Sequence, residues 1–379
     1  MSDLYIGLMS GTSMDGVDGA LVDFSLSKPA VVQVFTAQLA IKLRAELMAL
    51  NTAGPNELHR AALAGNALAR TYAQVVHGLL KRSGVPAAQV RAIGAHGQTL
   101  RHQPGMLDAH NQETGYTLQL NQPALIAELT GIDVVADFRS RDVAAGGQGA
   151  PLAPFFHRAW FAPAKPQHTV GVLNIGGISN LTILQPDGTT LGFDCGPGNA
   201  LLDMWCQQHT DAAYDDGGAW GAGGQVNAQL LQAMLAEPYF ALPPPKSTGR
   251  DLFNRPWLER HLAQTQVGNP CDAQKTLMEL TARAIKDCSC SYENNSKTQL
   301  DELIVCGGGA LNTALMQRLQ ELLPHCTVVS SAQRGLPPQD VEAVAFAWLA
   351  RQTVLRQALP LTSVTGARGA RVLGCIYPA

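Results

Sequence analysis

Apolar and polar positions alternate along the chain in short blocks. Residues 4–24, LYIGLMSGTSMDGVDGALVDF, form an apolar run, a turn of small and acidic residues, and a second apolar run. The plan returns at 169–188, TVGVLNIGGISNLTILQPDG. Both read as β-hairpins with polar turns. A helix follows the first, with Leu68, Tyr72, Val75, Val76 and Leu79 on one stripe. VRAIGAHGQTL then reads as a strand ending in a polar, glycine-containing turn. After Gly188, helix and strand alternate to the end. DELIVCGGGALNTALMQRLQELL is a buried strand, three glycines and a helix with Leu311, Leu315, Leu319 and Leu322 at helical spacing. DVEAVAFAWLARQTVL is a further helix, with Asp340 as its N-cap. This alternation implies an α/β fold. RSRDVAAGGQGAP, with Gly146, Gly147 and Gly149 before Pro151, reads as a boundary or hinge.

Length and composition narrow the picture. At 379 residues the chain exceeds what one core usually supports, so two domains are expected. Apolar residues make up 46% and charged residues 15%, enough to bury large cores and inconsistent with disorder. A net charge of −3 gives no electrostatic case for nucleic acid or an anionic membrane as partner. No apolar run approaches the ~18 residues of a membrane span, and MSDLYIG lacks the pattern of a secretory signal. The eight cysteines are scattered, without CxxC, which suits reduced thiols in a cytoplasm better than disulfides or zinc.

Three glycine turns carry the first chemical signal. Phosphate chains are held by backbone N–H groups with no Cβ in the way, and hydroxyls add donors. Gly11, Thr12 and Ser13 fit this; so do Gly176, Gly177, Ser179 and Asn180, and Gly307, Gly308, Gly309 and Asn312. Any one alone reads as a tight turn. Three in one chain, each at the exit of an apolar strand, point to a shared nucleotide site. There is no GxxxxGK(S/T) P-loop, no GxGxxG after a strand, and no protein-kinase signature or GxSxG elbow.

An acid supplies the second signal. In TTLGFDCGPGNALLDMW, a strand delivers Asp194 into a Cys-Gly-Pro-Gly-Asn turn before a helix. It reads either as an Asx-type turn residue or as a general base at the mouth of a cleft. Gly196 and Gly198 would let a ligand approach. Cys195 reads as packing, since no histidine is near in sequence to tune it.

Together, GLMSGTSMDGVD, GAHGQT, DFRSRDVAAGGQGAPL, LNIGGISN, GFDCGPGN, PKSTGRDLFN and CGGGALN resemble the anhydro-N-acetylmuramic acid kinase family of the sugar kinase/Hsp70/actin superfamily, over residues 5–378. The resemblance implies two actin-like (ribonuclease H-like) domains with an ATP cleft between them: residues 1–136 with a returning 343–379 segment, and residues 137–342. It implies ATP and Mg²⁺ as cofactors. The nucleotide would lie on Gly11, Thr12, Ser13, Met14, Asp15, Gly16, Val17 and Asp18 of the first turn, on Asn174, Gly176 and Gly177 of the second, and on Gly307, Gly308, Gly309 and Asn312. The implied reaction converts 1,6-anhydro-N-acetylmuramic acid, water and ATP to N-acetylmuramic acid 6-phosphate, in peptidoglycan recycling, with Asp194 deprotonating the water. A homodimer in the cytoplasm is expected, with small-molecule partners only. The superfamily commonly has an Asp where this chain has Met9 or Ser10, and another where it has Asn174; Asp15 and Asp18 are therefore the candidate metal ligands. GMLDAHNQETGYTLQLN looks like a surface loop insertion.

Other residues have two readings each. His96, Gln98 and Thr99 are either sugar contacts or a polar strand end. Arg139, Arg141 and Asp142 either meet the substrate's carboxylate or a phosphate, or form a structural ion pair. Glu342 either reaches the sugar or complements a helix dipole. PKSTGRDLFN is a dimer contact, a lid or a solvated loop, and His59 and His325 are solvated helix positions. Two further functions stay open: another sugar kinase of the same fold, with Asp194 deprotonating a plain hydroxyl, and an ATP-dependent chaperone or filament module. The latter needs an appended domain, and the chain reads as ending at YPA with no room for one.

Overall fold

The computed structural model describes residues 3–379 except 12–13, 15, 27–28, 111, 113, 163–166, 245, 250, 266 and 297, and not the side chains at 294–296. The chain divides into two compact units, Met1–Phe156 with Asp340–Ala379, and His157–Gln339. By that division residues 137–156, expected with the second half, count with the first.

In the first unit, β1 (Leu4–Met9), β2 (Gly16–Asp23) and β3 (Ala30–Gln38) form an antiparallel meander. β4 (Val90–Ala95) lies parallel to β1 on its other side. A separate hairpin follows, β5 (Gln98–Gln103) with β6 (Tyr116–Leu120). β7 (Val134–Ala136) continues the main sheet parallel to β4. In the second unit, β8 (Val170–Ile175), β9 (Ile178–Leu184) and β10 (Thr190–Pro197) repeat the meander. β11 (Glu302–Cys306) and β12 (Thr327–Ser330) add the two parallel strands. The last strand, β13 (Cys375–Tyr377), pairs antiparallel with β7. The order β3-β2-β1-β4-β7 of one sheet therefore matches β10-β9-β8-β11-β12 of the other. This is the ribonuclease H-like plan, built twice.

The hydrophobic pattern explains the placement. β1 and β8 are apolar on both faces and take the central positions, where both faces are covered. β3 is half-exposed and takes an edge. The helix Glu57–Ser83 buries Leu68, Tyr72, Val75, Val76 and Leu79, the stripe read from its spacing, and stops at Gly84 in the left-handed conformation. The helix Val341–Val354 packs on β1 and β4 in the first unit. Gly7 and Gly94, paired across those strands, make this approach possible. A Cβ at Gly7 would lie 1.8 Å from the Ala343 carbonyl oxygen, and one at Gly94 2.1 Å from that of Phe346.

Several local expectations change. VRAIGAHGQTL ends its strand at Ala95 in a glycine-containing turn as read, with Gly97 at φ +81°, but Gln98 then starts a second strand, β5, which leaves to pair with β6. The segment read as a loop insertion therefore contains a strand, Tyr116–Leu120. The helix after the triple glycine is Thr313–Leu322; it buries Leu315 and Leu319 with Leu323, while Leu311 is exposed in the preceding turn. Asp340 occupies the N-cap position without a side-chain capping bond, its backbone being already helical. His325 lies in a turn, 3.1 Å from Glu293. The presumed hinge is tied down. Fully buried Asp142 accepts from the Gly149 N–H (2.6 Å) and the Thr365 hydroxyl (2.6 Å), and the Gly147 N–H reaches its carbonyl. Asp142 is thus a structural anchor, and Arg141 is exposed.

Candidate active site

In the second unit, β10 carries Asp194 to the sheet's edge, where the register with β9 slips between Asp194 and Gly196. Such a bulge re-aims a side chain. The Thr248 N–H donates to Asp194 Oδ2 at 2.9 Å, the Asp194 N–H to the Lys246 carbonyl at 3.0 Å, and the Tyr239 hydroxyl to the Asp194 carbonyl at 2.9 Å. These bonds come from residues 45 to 54 positions away, so Asp194 is not a local Asx turn. They also show that PKSTGRDLFN is not a free solvated loop: its Lys246 and Thr248 bond to β10 at the acid. Oδ1 has no hydrogen-bond partner among the described residues. Burial pushes the Asp194 carboxyl up to about 6, against the opposing pull of the Thr248 N–H and the Lys246 charge. A carboxylate with one oxygen fixed, the other available and an affinity for protons just below neutrality suits a general base. Lys246 is held by the Tyr239 and Phe240 carbonyls (3.5 and 3.3 Å) and lies 4.8 Å from the Tyr239 ring centroid. Cys195 is fully buried, and its contact with the neighbouring Cys288, then burial, raises its thiol, which fits packing.

The two glycine turns of this unit meet beside β10. The carbonyls of Gly176 and Gly177 accept the N–H groups of Asn199 (2.7 Å), Gly198 (2.9 Å) and Ala200 (3.2 Å), at the start of the helix Asn199–Thr210. Asn199 Nδ2 adds a bond to the Ile175 carbonyl at 3.1 Å. With its carbonyls engaged, the β8–β9 turn is fixed in orientation. Behind it, Gly307 and Gly309 permit β11's exit to press on β8. A Cβ at Gly307 would lie 2.4 Å from Asn174 Oδ1, and one at Gly309 2.3 Å from Ile175 Cγ2. Gly308 alone is less crowded, 3.3 Å from the Asn199 amide. Asn312 caps the helix Thr313–Leu322 through Oδ1 to the Leu315 N–H. The structure thus brings Asn174, Gly176, Gly177 and Gly307–Gly309 together, with Asn312 in a structural role.

In the first unit, Thr12, Ser13 and Asp15 of the β1–β2 turn lie outside the described residues. Gly11 is open: a Cβ there would meet nothing within 4 Å. Met14 and Val17 send their side chains into the core, leaving only backbone for a ligand. Gly16 and Asp18 belong to β2; Asp18 faces Met9 across the pair and accepts from Thr36 Oγ1 at 2.7 Å. Asp340 and Glu342 stand near it. Desolvation and then the Asp18 charge raise both carboxyls, and Arg139 pulls Glu342 the other way. Glu342 stays solvent-accessible, crowded by surrounding atoms without being sealed. Among the described residues no three His, Cys, Asp or Glu side chains form a metal nest.

His96 and Arg139 come together in this unit, and Gln98 and Thr99 follow His96 at the start of β5. Arg139 donates through Nε and Nη2 to His96 Nε2 (3.2 and 3.0 Å) and through Nη1 to the Gly149 carbonyl (2.8 Å). A ring nitrogen accepting two N–H groups carries no proton, so the proton sits on Nδ1. Burial, then the Arg139 charge, keeps His96 neutral. Burial lowers Arg139 itself to about 10, still cationic, with Glu342 and Asp142 opposing the drop. The guanidinium therefore has a neutral partner and no hydrogen-bonded carboxylate among the described residues. Thr99 accepts from Gln119 at 3.4 Å. Sequence reasoning missed Lys246 and Thr248, which act on Asp194, Asn199, which holds the β8–β9 turn, and Ser10 and Tyr72 behind Gln98.

The family model described as anhydro-N-acetylmuramic acid kinase matches residues 3–379. A protein of that name from Albidiferax ferrireducens is 57% identical over 100% of both chains. One from Variovorax paradoxus is 59% identical over 100% of this chain and 99% of its own. Among solved structures, component A of the (R)-2-hydroxyglutaryl-CoA dehydratase of Acidaminococcus fermentans is similar at TM-score 0.47 and 12% identity, covering 93% of this chain and 99% of that one. With full-length identity at this level, the chain belongs to the anhydro-N-acetylmuramic acid kinase family.

Proposed function

We infer that the protein is an ATP-dependent kinase that converts 1,6-anhydro-N-acetylmuramic acid and water to N-acetylmuramic acid 6-phosphate, a step of peptidoglycan recycling. Family membership supports the reaction, and the half-anchored Asp194 carboxylate is the observation that carries its mechanism. Oδ1 takes a proton from water, and the water oxygen attacks C1. The C1–O6 bond breaks with its electron pair on O6, and O6 attacks the γ-phosphorus in line as ADP leaves. One base serves both events, because ring opening generates the nucleophile for phosphoryl transfer. The transfer itself asks chiefly for positioning and charge stabilisation.

The turn N–H groups of Gly176, Gly177, Gly308 and Gly309 are proposed to hold the nucleotide, as is the Gly11 backbone; the Gly307 N–H is taken by the Pro338 carbonyl (2.9 Å), and Gly307 is proposed to line the site. Arg139, with its neutral partner His96, is proposed to face the sugar's lactyl carboxylate, and Gln98, Thr99 and Glu342 its polar groups. Magnesium would be held mostly by phosphates and water, with Asp18 as the carboxylate at the first turn, since hard oxygen donors suit it. When bound, it would neutralise phosphate charge. Location in the cytoplasm is proposed from the family resemblance; among the described residues no helix is long and apolar enough to cross a membrane. A homodimer is proposed from the family resemblance, and sedimentation tests it.

The product decides the mechanism. It should be heavier by one water than a phosphorylated anhydro-sugar and, formed in ¹⁸O-enriched water and quenched early, should carry label at C1. A product that keeps its bridge, or takes no label, would overturn the hydrolytic reading.

A further inference from the structure

A chain of hydrogen bonds runs behind the sugar-side residues of the first unit. The Gly97 N–H donates to the Tyr72 hydroxyl at 3.1 Å. Tyr72 donates to Ser10 Oγ at 3.3 Å, and Ser10 donates to Gln98 Oε1 at 2.9 Å, with the Gly97 carbonyl farther off at 3.3 Å. Tyr72 is fully buried in the helix Glu57–Ser83, Ser10 directly follows β1, and Gln98 is buried at the start of β5. Each hydroxyl has one proton, so the order of donation is set: amide to phenol, phenol to serine, serine to glutamine. With Ser10 donating to Gln98 Oε1, the amide –NH₂ faces away as a donor. Here the role of Ser10 is to orient a neutral side chain.

From this relay, which rests on the kinase reading above, we propose that Tyr72 is a positioning residue: through Ser10 it fixes the amide orientation of Gln98 so that Gln98 donates to the sugar. The phenol touches neither sugar nor nucleotide in this proposal; it supplies order. Such chains polarise one another and lose more than one bond when interrupted.

The test is a double-mutant cycle on kcat/KM for the anhydro sugar. Tyr72→Phe keeps the ring and its packing and removes only the relay; it should lower kcat/KM about tenfold. Gln98→Ala should lower it at least as far, and Tyr72→Phe with Gln98→Ala should match Gln98→Ala alone, because the relay has nothing left to orient. Ser10→Ala repeats the cycle without touching the buried helix and decides the matter if Tyr72→Phe folds poorly, as its thermal melt would show. Additive losses, an unchanged Tyr72→Phe enzyme with an unchanged Ser10→Ala enzyme, or an unaffected Gln98→Ala enzyme would each overturn the proposal. A wild-type protein inactive on the anhydro sugar would overturn the kinase reading instead.

Discussion

The β1–β2 and β8–β9 turns occupy the same slot of the same five-strand plan, yet they are held by opposite means. The β8–β9 turn is gripped from outside. Its carbonyls accept three amides from residues 198–200, and β11's glycines press against its stem. The β1–β2 turn is held from within, by Met14 in the core and by the Ser10–Tyr72 bond at its base. The third strands differ too. β10 carries Asp194, whereas β3 offers Thr36 to Asp18. A duplicated scaffold thus gives one rigid turn beside an acid, and one turn whose backbone is sterically open at Gly11. The residues that look alike in sequence, glycines after an apolar strand, do different physical jobs.

The largest expected effect falls on β10, whose acid has no counterpart on β3. Asp194→Asn should reduce kcat by at least ~100-fold, the scale of a lost general base, with ATP binding retained in a titration. The same substitution should stabilise the fold. The folded carboxyl holds its proton up to about 6 instead of its ordinary 3.8. Stability from this group is therefore gained as pH falls from 6 toward 4, and the ionised form costs stability at neutral pH. Full expression of that rise would be about 3 kcal/mol; screening of a partly exposed group reduces it to about 1–2 kcal/mol. A variant both inactive and less stable would undo the assignment of Asp194 as a strained functional carboxylate.

Next come the glycines of the gripped turn. Gly309→Ala would drive a methyl into Ile175, so a loss of about 1–3 kcal/mol in denaturant unfolding is expected from overpacking. A smaller effect concerns Lys246, whose charge helps keep Asp194 ionised. Wild-type kcat/KM should fall about tenfold per pH unit below about 6, because the base must be deprotonated. Lys246→Gln should move that acid limb to higher pH; an unmoved or lowered limb would remove Lys246 from the site's electrostatics.

Much of this was legible in the chain, and the rest was hidden for a physical reason. The hairpins, the Leu68–Leu79 stripe and the strand bearing Asp194 follow from periodicity, a local property. The contacts that define the site are not local. Thr248 meets Asp194 across 54 positions, and Ser10 meets Gln98 across 88. Nothing in the spacing of PKSTGRDLFN says that the backbone of its Lys246 and Thr248 bonds to β10. Leu311 shows the complementary error, where helical spacing extrapolated through Gly308–Leu311 into a tight turn that leaves the side chain in solvent. The glycines were legible as sites of close approach, but not what approaches them. For Gly307 and Gly309 it is the protein's own β8.

Gly11 gives the smallest expected structural effect and the sharpest reading of the comparison. With no atom within 4 Å of the place a Cβ would take, Gly11→Ala has no packing to disturb, and surface changes of this kind stay within about 0.5 kcal/mol. Unfolding should therefore match wild type, unlike Gly309→Ala. If phosphate approaches the Gly11 backbone, the added methyl meets the ligand instead of the protein. The KM for ATP should then rise while the melting temperature holds. Gly309→Ala should show the reverse ordering, with stability lost first and ATP affinity following only through the disturbed stem. Should Gly11→Ala leave ATP affinity and stability both unchanged, the first turn would be open without being a phosphate cradle, and nucleotide contact in the described residues would rest on the second unit's turns alone.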